Sequence, residues 1–71
     1  MIIRLFLSNN STFDFDTKNY VTIEAFAEDL ATLQAFGKSG DGFIKCGDFI
    51  DFYGRHIRYS EIVAFEEVIS E

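Results

Sequence analysis

A chain of 71 residues makes one small domain, which buries only roughly 60–65% of the surface its unfolded form exposes, so the stability margin is about 4–11 kcal/mol. Twelve acidic against six basic side chains give a net charge of −6, which argues against direct binding of nucleic acid. One cysteine, Cys46, and one histidine, His56, exclude an intrachain disulfide and leave a metal cluster short of ligands.

The amino-terminal residues 2 to 7 are rich in β-branched and aromatic types and read as a strand. With Arg4 inside it, this apolar run is too short for a membrane span or a secretory signal core, and a cytoplasmic, reducing setting is expected. Ser8-Asn9-Asn10-Ser11 is a turn cluster. Phe13 and Phe15 then alternate with Thr12, Asp14 and Asp16, as in a half-buried return strand, which completes an N-terminal β-hairpin.

From Thr22 the period changes. Ile23, Phe26, Ala27, Leu30, Leu33 and Phe36 recur at the spacing of one helix face, which predicts an amphipathic helix over about 22–36. Thr22 is placed to cap its start, Val21 and Phe26 to form a hydrophobic staple, and Gly37 to supply the left-handed end cap. Glu24 near the first turn and Lys38 just past the last complement the helix dipole.

All five glycines fall between positions 37 and 54, so this half of the chain is expected to turn repeatedly. Phe43 to Lys45 is expected to pair with Asp48 to Ile50 across Cys46-Gly47, with Phe43 beside Ile50. Asp48 to Ser60 reads as a second hairpin turning at Gly54-Arg55, with Tyr53 opposite His56, Phe52 opposite Ile57, Asp51 opposite Arg58 and Ile50 opposite Tyr59. A turn at Tyr53-Gly54 would shift these partners by two residues and leave the faces alone: Ile50, Phe52, Ile57 and Tyr59 on one, Asp51, Tyr53, His56 and Arg58 on the other. In the tail, Ile62, Phe65 and Ile69 suit a helix capped by Ser60, whereas Ile62, Val63, Val68 and Ile69 are strand formers. A strand over Ile62 to Glu66 is the expectation.

The pattern therefore predicts a single α+β domain: an N-terminal β-hairpin and one amphipathic α-helix packed on a C-terminal antiparallel β-meander. Ile23, Phe26, Leu30, Leu33 and Phe36 should meet Ile3, Leu5, Phe43, Ile50, Phe52, Ile57 and Tyr59. Nine phenylalanines and three tyrosines supply the apolar area, part of which is available for contacts outside the domain.

Two segments match known motifs in part. Gly37-Lys38-Ser39 has the ending of a phosphate-binding loop, but Thr32 stands where that loop needs glycine, and a helix precedes it. Gly37 to Asp48 resembles a calcium-binding EF-hand loop, with Ser39, Asp41, Gly42, Ile44 and Asp48 at the third, fifth, sixth, eighth and twelfth positions. It departs from that pattern in Gly37 at the first position, Lys45 at the ninth and the short Asp48 at the twelfth.

His56 and Cys46 are the only sources of imidazole or thiolate chemistry, and no nucleophile spacing or cofactor loop accompanies them. No catalytic residue, cofactor or metal ligand is assigned, and a non-enzymatic role is expected. The remaining signal is acidic. Glu24, Glu28 and Asp29 stand on the helix without a base four residues on, and Glu61, Glu66, Glu67 and Glu71 follow the last arginine, Arg58. Glu24, Glu28, Asp29, Glu61, Glu66 and Glu67 are the candidate partner-binding residues.

The leading expectation is a small protein that regulates or inhibits another protein. In its sharper form it blocks a basic nucleic-acid-handling partner, as small phage or mobile-element inhibitors do. The alternatives are a self-associating structural module, such as a homodimer, that uses open sheet edges, and a metal-responsive module built on the loop from Gly37 to Asp48.

Overall fold

The computed structural model describes residues 1–38 and 43–69. Alternation sets up the first hairpin: β1 (Ile2–Leu7) pairs antiparallel with β2 (Thr12–Asp16), Ile3 opposite Phe15 and Leu5 opposite Phe13, so these four side chains share a face. Asn10 turns the chain with φ 67°, in the left-handed region asparagine tolerates. Arg4 projects from the opposite face.

α1 (Ile23–Phe36) begins and ends at its expected caps. The Thr22 side chain accepts from the Ala25 N–H at 3.2 Å, and Gly37, at φ 83°, donates its N–H to the Leu33 carbonyl at 2.9 Å. Two side chains depart from the expectation. Val21 is 94% exposed, so no staple forms; Tyr20 packs against Phe26 in its place, ring centroids 5.4 Å apart. Phe36 is 79% exposed. At about 100° per residue it lies roughly 80° around the helix from Phe26, whereas Leu30 and Leu33 lie within about 40° of it.

β3 (Ile44–Cys46), β4 (Phe49–Phe52) and β5 (Arg55–Arg58) form the meander, and both of its turns sit one residue away from the expected places. The first is Gly47-Asp48, which pairs Lys45 with Ile50 and brings Phe43 against Phe52, centroids 5.1 Å apart, instead of beside Ile50. The second is Tyr53-Gly54, with Phe52 opposite Arg55, Asp51 opposite His56, Ile50 opposite Ile57 and Phe49 opposite Arg58. Both its central residues have positive φ, 53° and 92°, the type I′ pattern whose twist suits a hairpin, and the Gly54 N–H donates to Asp51 Oδ1 at 2.8 Å. The four pairs expected for a Gly54-Arg55 turn are replaced. The faces survive because the partners slip by two: Ile50, Phe52 and Ile57 are buried and Tyr59 is half-buried.

The tail settles as a strand. After a single 3₁₀ turn (Tyr59–Glu61) it forms β6 (Ile62–Val68), two residues longer than expected. β6 leaves the meander and pairs antiparallel with β1, with a bulge at Phe6/Leu7, giving one sheet in the order β2-β1-β6 and another in the order β3-β4-β5.

The amino-terminal hairpin thus supplies one wall of the core, and the meander supplies the other. Phe15 stands at the junction, its ring 5.8 Å from Phe26, 6.2 Å from Phe43 and 5.4 Å from Phe52. Around it Ile3, Leu5, Leu33 and Ile50 are sealed from solvent. Thr17 is the buried polar side chain among the described residues, and its Oγ1 accepts from the Tyr53 hydroxyl at 2.9 Å and the Asn19 N–H at 3.2 Å.

Candidate functional site

Helix geometry divides the three acids of α1. At about 100° per residue Glu24 and Glu28 fall roughly 160° from Phe26 on either side, one turn apart and opposite the core. Both are exposed, and neither has an ion-pair partner among the described residues. Asp29 falls only about 60° from Phe26. It is half-buried and accepts the Tyr20 hydroxyl at 2.8 Å, so it belongs to the internal structure and not to the exposed cluster expected of it.

The acids of the tail divide in the same way. Glu61 is half-buried in the 3₁₀ turn; its carboxylate accepts the Ser8 hydroxyl and its carbonyl accepts the Ser8 N–H at 2.8 Å, which ties the start of β6 to the first hairpin. Glu66 and Glu67 are exposed on β6. Glu66 stands opposite Arg4 of β1, and Glu67 stands opposite Ile3. Arg4 itself is engaged on its other side: Nε and Nη2 donate to the two oxygens of Asp14 at 2.9 and 3.0 Å. These bonds hold the Asp14 carboxyl below its usual range, and together with the nearby charges of Asp14 and Glu66 they raise Arg4. Of the six candidate acids, four remain available: Glu24, Glu28, Glu66 and Glu67. Phe26 meets Phe65 edge-on at 5.1 Å, so β6 lies beside α1; Glu67 stands on the sheet face of Ile3 and Glu66 on the opposite face, with Arg4.

The chain matches no family model, no curated protein and no solved structure.

The basic residues of the second hairpin lose the expected Asp51–Arg58 pairing, since Arg58 stands opposite Phe49. Among the described residues Arg55 and Arg58 form no ion pair with an acid. The Arg55 guanidinium carbon lies 5.0 Å from the centre of the Phe13 ring, and that of Arg58 lies 5.2 Å from Phe49, both cation–π contacts. With His56 they line an open groove of about 700 Å³ whose other wall includes Leu7, Asn9 and Ser11. Their concentration in four consecutive positions of an acidic chain was a readable signal. What no pattern of residues revealed is that β5 is a sheet edge.

The resemblance of Gly37 to Asp48 to a calcium loop does not extend to the helix that should follow. Gly37 caps α1, Lys45 lies in β3, and β4 occupies the place of the exit helix, while Ser39, Asp41 and Gly42 lie outside the described residues. Among the described residues no group of three or more His, Cys, Asp and Glu side chains is gathered as a metal site. Cys46 is an exposed thiol at the end of β3, and no helix among the described residues is long and apolar enough to cross a membrane.

Proposed function

We propose that the protein works by binding a second, basic protein through Glu24 and Glu28, and without chemistry of its own. The observation that supports this reading is the placement of Glu24 and Glu28: solvent-facing, one turn apart and unpaired among the described residues. Like charges at that spacing cost a helix about 0.2–0.5 kcal/mol, a penalty that a cationic surface relieves. Complementary charge of this kind accelerates encounter and selects against acidic partners.

In its sharper form, the partner handles nucleic acid, and the carboxylates occupy the groove that otherwise receives phosphates. The setting is cytoplasmic and reducing, where Cys46 persists as a thiol. The test is capture of partners from lysate, followed by titration of the captured protein with the wild type and with Glu24→Gln/Glu28→Gln. A weaker complex with a shallower dependence on salt is expected. Unchanged affinity and unchanged salt dependence would overturn the acidic-helix reading.

A further inference from the structure

Two sheets of three strands have four outer edges, and their chemistry sorts them. The β3 edge is occupied: the Lys45 N–H donates to the Gly37 carbonyl at 2.9 Å, and Lys38 bridges to Ile44. On the β2 edge both acids are engaged within the molecule, Asp14 by Arg4 and Asp16 by the amino terminus at 3.5 Å. The edges that carry charges without an ion pair among the described residues are β5, with Arg55, His56 and Arg58, and β6, with Glu66 and Glu67.

We infer that the β6 edge of one copy adds as a strand to the β5 edge of another, so that sheet β3-β4-β5 continues into sheet β6-β1-β2 of its neighbour. β5 borders the open groove of about 700 Å³, whose far wall is the chain's own Leu7, Asn9, Ser11 and Glu61, so an added strand enters between β5 and the first hairpin. Charge selects the pairing. Two β6 edges set glutamates against glutamates, and two β5 edges set arginines against arginines; only the mixed contact brings opposite charges across the new ladder. Apolar area supports it, since Val63 and Ile69 at β6 are 63% and 79% exposed. The contact uses different surfaces on the two copies, so repetition produces a closed ring, of which a reciprocal dimer is the smallest, or an open filament.

This inference goes beyond the proposed function, because Glu24 and Glu28 take no part in it and either reading can fail alone. It is tested by sedimentation of the full chain with two double variants, Glu66→Lys/Glu67→Lys and Arg55→Glu/Arg58→Glu. The wild type is expected to show a mass that rises with concentration and falls as salt is added. Each variant alone should associate roughly tenfold more weakly or worse, because two attractive contacts become repulsive. The equimolar mixture should recover association, since each variant then offers the edge the other needs. A wild type that stays monomeric at millimolar concentration in low salt, or a mixture no heavier than its components, would overturn the inference, as would a closed dimer that both variants retain. Circular dichroism checks that the variants fold; where charge reversal disrupts β6, Glu66→Gln/Glu67→Gln replaces it, and association equal to wild type then counts against the contact.

Discussion

The Tyr53 hydroxyl, at the turn of the meander, donates to the Thr17 hydroxyl just past β2, and this 2.9 Å bond joins the two sheets across a span of 36 residues. Tyr53→Phe removes the donor but leaves Thr17 Oγ1 with the Asn19 N–H. The variant should lose about 0.5–1.5 kcal/mol in urea unfolding, with an unchanged slope. A loss indistinguishable from zero would mean that water replaces the bond without cost.

Asp29 and Glu28 are neighbours in sequence with different jobs, and substitution separates them. Asp29→Ala leaves the Tyr20 hydroxyl without this acceptor and should destabilise by about 1–3 kcal/mol. Glu28→Gln should fall within about 0.5 kcal/mol of wild type, because its carboxylate is exposed and has no ion-pair partner among the described residues. Thermal unfolding of both variants side by side provides the comparison.

Phe52 is sealed from solvent between Phe15 and Phe43. Its truncation to alanine should cost about 3–5 kcal/mol, close to the whole stability of a domain this small. Loss of cooperative unfolding in calorimetry is the expected result. A folded, cooperative Phe52→Ala variant would relocate the centre of the core.

Arg4 contributes to the acid response of the first sheet through Asp14. The folded state holds the Asp14 carboxyl below its unfolded value, so the pair stabilises above that unfolded value and the contribution disappears as pH falls through the lowered one. Asp14→Asn should therefore flatten the acid limb of a stability-versus-pH curve and leave its shape near neutrality unchanged. An NMR titration of Asp14 reads the same shift directly.

Much of this fold was legible in local pattern, and the reasons are specific. α1 announced itself through period and caps, because Thr22 and Gly37 act on backbone groups only a few residues away. The faces of the meander were readable because a slip of two residues preserves alternation, whereas the choice between the two turns weighed, Gly54-Arg55 and the observed Tyr53-Gly54, was not, because Gly54 can occupy either central position of a tight turn. Val21 and Tyr20 were exchanged in the packing around Phe26 since either residue can precede a cap, and only the path of the chain decides which turns inward.

The candidate site was less legible. Asp29 and Glu61 read as surface charge until Tyr20 and Ser8 were seen beside them, and those partners depend on tertiary placement. The edges at β5 and β6 depend on strand order, which no window of sequence contains.

The pairing of β1 with β6 joins residues 2–7 to residues 62–68, and this has a kinetic consequence. The hairpins β1-β2 and β4-β5 close over short loops and can flicker into existence on their own, on the order of microseconds. The central position of β1 in its sheet is completed only when β6 docks, after nearly the whole chain is available, and pairing between elements this remote in sequence slows folding. Until that docking occurs, β1 presents Ile3 and Leu5 beside an unpaired edge, and chaperone capture or misassembly competes in that interval.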